Sequence, residues 1–138
     1  MLTENDVVAA VCNKLGEMGF EIRQALHTSE KGVDIIVSKG EFTLFIEAKG
    51  ETSAMKTSSR YGRQFNNNQI KNHIGKALLA VSRIITENRE NKQTGVAIAL
   101  PDNEGHRKII RDIEYVLEKL GIYVFWVKDK QKVEIKFE

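Results

Sequence analysis

The hydrophobic positions of this chain follow two rhythms, one recurring every three to four residues and one every second residue. Val8, Val11, Leu15 and Met18 recur at helical spacing behind Thr3 and Asp6, a pair that resembles a helix start, and Gly16 and Gly19 weaken the run. A first helix is expected over roughly Glu4 to Met18. Three β-rich runs follow: Phe20 to Leu26, Val33 to Ser38 and Phe42 to Lys49. The last two are joined by Lys39, Gly40 and Glu41, a link that suits a hairpin. From Gly50 to Asn68 the apolar content collapses. Beyond it, Ile70, Ile74, Ala77, Leu78, Val81, Ile84 and Ile85 keep a period of 3.6 and predict a long amphipathic helix that frays near Asn88.

Gly95 to Leu100 is wholly apolar and closed by Pro101, as expected of a strand covered on both faces in the middle of a sheet. Ile109, Ile110, Ile113, Val116, Leu117 and Leu120 define a third helix, broken at Gly121. Ile122 to Val127 reads as another apolar strand. Lys132 to Phe137 alternates like an edge strand, joined through a turn at Asp129 and Lys130. Helix, three strands, helix, strand, helix and two strands make an α/β chain: a mixed sheet with a parallel crossover through the long helix and helices on its faces.

Composition narrows the class. A chain of 138 residues with 41% hydrophobic and 29% charged residues fits a single globular domain over Met1 to Glu138 and lies far from the composition of disorder. The formal net charge of +2 is too small to argue for nucleic acid by itself. The single cysteine, Cys12, excludes an internal disulfide framework and lies in a helical apolar pattern. Met1 to Asp6 carry two acids and no apolar run, and no stretch approaches membrane-spanning length, so a cytoplasmic protein without a membrane partner is expected.

Charge placed inside apolar strands is the informative feature. Alternation in the third strand puts Thr43, Phe45, Glu47 and Lys49 on one face, so Glu47 and Lys49 are neighbours. Asp34 stands between Val33 and Ile35, and hairpin pairing can bring it to the same sheet edge. Charges in such positions cost several kcal/mol to desolvate unless something pairs with them. A divalent cation answers that need, because Mg²⁺ is held by one or two carboxylates together with waters and phosphate oxygens. Asp34 and Glu47 are the expected ligands, with the Ala48 backbone carbonyl. Lys49 would orient or deprotonate an attacking water, or neutralise charge on a phosphate.

Gly32-Val33-Asp34 followed by Glu47-Ala48-Lys49 resembles the Asp…Glu-x-Lys signature of the PD-(D/E)XK superfamily, with the elements in that family's order. The resemblance covers roughly Glu4 to Leu100 and is closest to the restriction-endonuclease and Holliday-junction-resolvase branches. Val33 stands where the nominal motif has proline. The resemblance implies a restriction-endonuclease-like three-layer core and an Mg²⁺-dependent endonuclease acting on DNA, in which Mn²⁺ can substitute. It also implies two further site residues: Glu4, as an extra acidic ligand or orienting group, and Gln69, facing the site from the long helix.

The polar loop from Gly50 to Asn68 holds Lys56, Arg60, Tyr61 and Arg63, suited to phosphate contacts and base stacking. Lys71 and Lys76 extend this expected nucleic-acid surface along the helix. A homodimer suits cleavage of both strands of a duplex, and a partner protein could supply specificity. Competing readings are a cross-strand ion pair for the central three charges, a helix-start acid for Glu4, simple exposure for Gln69 and a flexible linker for the loop. His27, His73 and His106 lack metal-ligand spacing and read as surface residues. A nucleic-acid-binding or assembly subunit with the same fold and no catalysis is the alternative function.

Overall fold

In the computed structural model, residues 1–26, 32–52 and 63–137 are described. A capping box starts the first helix, α1 (Glu4–Glu17): Thr3 Oγ1 accepts the Asp6 N–H at 3.2 Å and Asp6 Oδ2 accepts the Thr3 N–H at 3.0 Å. Next come β1 (Glu21–Ala25), β2 (Ile35–Lys39) and β3 (Phe42–Ala48), successive antiparallel neighbours. A second capping box, between Asn66 and Gln69, starts α2 (Asn67–Glu87), which crosses over to β4 (Thr94–Pro101) parallel to β3. After α3 (Glu104–Leu120), β5 (Ile122–Val127) lies parallel to β4, and β6 (Val133–Glu134) returns antiparallel.

The spatial order of the strands is β1-β2-β3-β4-β5-β6, with β3 and β4 at the centre. Alternation along each strand divides the core between the two faces. Leu44, Ile46, Ala48, Ala97, Ala99 and Phe125 pack with Val7, Val11 and Leu15 of α1. Val96, Ile98, Leu100 and Trp126 pack with Ile70, Ile74 and Val81 of α2 and Ile110 and Leu117 of α3. The result is the mixed α/β sheet flanked by helices that the patterning predicted, compatible with a three-layer core. Val96 to Pro101 are all buried, as the apolar run predicted. No helix among the described residues is long and apolar enough to cross a membrane.

Three expectations need correction. The α3 helix begins at Glu104 and not at Ile109, because Asn103 caps it by accepting the His106 N–H at 2.9 Å. The edge strand is limited to Val133–Glu134 in place of Lys132 to Phe137; Phe137 leaves the ladder to pack its ring against Phe20, Tyr123 and Phe125. Asp34 lies just before β2 and not within it.

Candidate active site

Parallel strands end together, so the carboxyl ends of β3, β4 and β5 form one edge, where helices start and ligands commonly bind. Asp34 is brought to that edge by the loop between β1 and β2. Gly32, at φ +125°, makes a turn that L side chains rarely adopt, and a Cβ there would lie 3.2 Å from Leu26. The Leu26 N–H then donates to the Asp34 carbonyl at 2.8 Å, and the Ala48 N–H donates to Asp34 Oδ2 at 2.8 Å. One carboxylate is thereby pinned to the end of the next strand.

Glu47, one residue earlier on β3, reaches the same point, within hydrogen-bonding reach of Asp34 when one of the two carboxyls is protonated. Burial pushes Glu47 up to about 8, helped by the charge and the hydrogen bond of Asp34 and opposed by Lys49. Burial also raises Asp34, against the Ala48 N–H, Glu47 and Lys49, which lower it. Two carboxyls in hydrogen-bonding contact must share a proton or a cation, since as bare anions they repel. Lys49 continues past the strand end, held by its N–H to the Ala99 carbonyl at 3.1 Å, and its charge acts on Asp34, Glu47 and Glu4.

Glu4 arrives from the opposite layer. Gly50 makes this approach feasible, because a Cβ there would lie 2.5 Å from the Glu4 nitrogen and 2.7 Å from the Thr3 carbonyl carbon. Burial, followed by the charge of Asp34, raises the Glu4 carboxyl to about 7. The site thus combines three acids and one lysine from α1, the β1–β2 loop and β3. Among the described residues no set of three or more His, Cys, Asp or Glu side chains is gathered tightly enough to hold a metal ion. A cation here would therefore rest on two acids, backbone and solvent, the usual arrangement for Mg²⁺.

The remaining expected residues fall elsewhere. Gln69 was expected to face the site; its Oε1 instead accepts the Asn66 N–H at 2.9 Å, closing the start of its own helix. Lys71, Lys76 and Arg63 are exposed. Lys56, Arg60, Tyr61 and His27 lie outside the described residues. His106 corrects an expectation: it is not a surface residue but completely buried in α3, and burial lowers it to about 4. His73 packs edge-on against Phe65, with ring centroids 4.6 Å apart, and burial lowers it too.

Two solved structures superpose on the chain. One is an FdxN element excision controlling factor protein from Anabaena variabilis, at a TM-score of 0.53 and 15% identity over 98% of both chains. The other is an XisH family protein from Nostoc punctiforme, at a TM-score of 0.51 and 14% identity over 96% of this chain and 98% of that one. What they share with it is the fold. No family model and no curated protein matches the chain. At this identity the fold carries over, and residue roles rest on the geometry above.

Proposed function

We propose that the protein is a metal-dependent endonuclease of the PD-(D/E)XK type that hydrolyses phosphodiester bonds in DNA. The observation that carries this reading is the contact between the Asp34 and Glu47 carboxyls beside Lys49, at the end of the central strands. A structural ion pair would match each acid with a base; here two acids meet, and both are raised by burial. That donor set fits a divalent cation. Asp34 and Glu47 would hold it with the Ala48 carbonyl, and Mg²⁺ or Mn²⁺ would supply positive charge against the phosphate and acidify a bound water. Lys49 stands beside both acids, suited to orient the attacking water and to offset charge on the scissile phosphate. Glu4 flanks the same space from α1 and suits an orienting role. Gln69, through its cap, fixes where α2 begins.

The names of the two similar structures favour a second reading. An excision controlling factor need not cut, and a chain of this fold could act as a DNA-binding or assembly subunit while a partner cleaves. One experiment separates the two. Purified protein is incubated with supercoiled plasmid, a branched junction and single-stranded DNA, each with Mg²⁺, Mn²⁺ or chelator, alongside Asp34→Ala and Lys49→Ala. Metal-dependent cutting lost in both variants supports the nuclease. DNA binding that survives both substitutions, with no cutting by the wild type on any substrate, supports the subunit. Light scattering in the same buffers reads whether two copies associate, as cleavage of both strands would favour.

A further inference from the structure

Glu51, two residues past Lys49, is bonded through both its side chain and its backbone to partners outside the acid pair. Its Oε2 accepts the Leu2 N–H at 2.8 Å, and its Oε1 accepts Asn103 Nδ2 at 2.9 Å. Its own N–H donates to the Leu2 carbonyl at 2.8 Å, and its carbonyl accepts the Phe65 N–H at 2.8 Å. Through these four bonds a single residue ties the strand bearing Glu47 and Lys49 to three other segments: the lead into α1, the segment entering α2 and the cap of α3.

Asn103 is held in turn. With its amide nitrogen on Glu51, its Oδ1 accepts from the His106 backbone N–H at 2.9 Å and lies 2.8 Å from His106 Nδ1. That arrangement puts the His106 proton on Nδ1. Both carboxylate oxygens of Glu51 thus accept an N–H donor, which holds the side chain in one place and suits it to rigid placement.

We propose that Glu51 is a positioning residue for the site: by clamping Leu2 and Asn103 to the end of β3, it fixes where Glu4 and Lys49 stand relative to Asp34 and Glu47. The inference rests on the nuclease reading. Loss of the two side-chain bonds loosens the start of α1, and with it Glu4, against the backbone bonds of residue 51 that remain, while β3 keeps its ladder to β2 and β4 and so keeps Asp34 and Glu47 in contact.

The test measures Mn²⁺ binding by electron paramagnetic resonance, and cleavage over a range of Mn²⁺, for wild type, Glu51→Ala, Glu4→Gln and the double variant. Glu51→Ala is expected to weaken Mn²⁺ binding or slow cleavage by about 10-fold, in the range found for residues that hold ligands from behind. In the Glu4→Gln background the same change is expected to cost less than about 3-fold, because the residue it places is already disabled. A merely structural role would instead give equal factors in both backgrounds, and that result overturns the proposal. So does a Glu51→Ala protein as active as wild type. A wild type that neither binds Mn²⁺ nor cuts overturns the nuclease reading, and this inference with it. If Glu51→Ala fails to fold, Glu51→Gln replaces it: it keeps the volume, retains only one good acceptor, and is expected to show the same coupling to Glu4 at about 3-fold.

Discussion

Two carboxylates near the carboxyl ends of neighbouring strands have opposite fates. Asp102, just past β4, receives Arg107 in a two-pronged bond, Nε to Oδ1 at 2.7 Å and a terminal nitrogen to Oδ2 at 2.9 Å, while the guanidinium stacks 4.1 Å from the Trp126 ring. That partner holds its carboxyl below the usual range. Glu47, on β3, meets another acid and is pushed up to about 8. Each is an acid near a strand end, yet only one has its charge answered within the chain. An acid with a guanidinium on both oxygens is finished as a structural element. Two acids in contact leave a charge for something else to neutralise, and that contrast separates a site from a salt bridge here.

The largest effect that can break the comparison comes from Glu47→Gln. Removing one acid of the pair is expected to lower metal-dependent cleavage by about 10³-fold, the scale of losing a main electrostatic contributor. The metal-free protein should become more stable at pH 8. A carboxyl raised in the folded state favours folding only while protonated, so its contribution is present below the unfolded value of 4.5 and is lost as pH rises through about 8. Discounted for partial exposure, the amide is expected to gain about 1 kcal/mol at pH 8 in urea unfolding with chelator present. A loss of stability instead would mean that the pair is structural, like Asp102 and Arg107.

His106 sharpens the same logic with the opposite sign. It is buried and lowered to about 4, so its neutral form is the folded one. The unfolded chain binds a proton below about 6.5 and the folded chain does not, so stability falls as pH drops from 6.5 towards 4. The effect is on the order of 3 kcal/mol across that window. His106→Gln can still donate to Asn103 but cannot titrate. Urea unfolding between pH 7 and pH 4.5 should show a shallower acid loss for the variant, and equal slopes would contradict the assignment.

Local patterning made the central triad legible, because hairpin pairing sets Asp34 opposite the end of β3 and alternation puts Glu47 and Lys49 on one face; the turn at Gly32 and the Ala48 N–H complete the placement of Asp34. The clamp behind the triad was not legible, since Glu51 bonds Leu2 and Asn103 across 49 and 52 residues of chain. No short window carries such a link. His106 could have been found: it precedes Ile110 by one helical turn on the stripe that ends at Leu117, and Asn103 after Pro101 is an N-cap in a favourable place. The isoleucine period begins at Ile109, past the Asn103 cap and His106, and so carries neither. Gln69 shows the reverse: Asn66 stands three residues ahead of it, the spacing of a capping box, and that local partner takes the amide.

Glycine substitutions probe how closely the α1 start is set against the site. Gly50→Ala puts a methyl group against the backbone of Thr3 and Glu4, and is expected to cost about 2 kcal/mol and to reduce cleavage by displacing Glu4. Gly16→Ala, in the same helix with nothing within 4 Å, should instead stabilise by about 0.5 kcal/mol without touching activity. Equal responses at the two positions, measured by thermal unfolding, would deny that the close approach at Gly50 matters.

The smallest effect belongs to the satisfied carboxylate. Asp102→Asn keeps one acceptor for Arg107 and leaves the guanidinium on the Trp126 ring, so the loss is that of a partly exposed ion pair, about 1 kcal/mol or less. Because the Asp102 carboxyl is lowered, its contribution is present above the unfolded value of 3.8 and fades as pH falls through the folded one; the gap between wild type and variant should be full at pH 7 and shrink below pH 3.8. Cleavage and Mn²⁺ affinity should match wild type. A drop in cleavage comparable to that of Glu47→Gln would place Asp102 in the working edge of the sheet. The distinction between an acid answered by the chain and one left for a cation would then no longer identify the site.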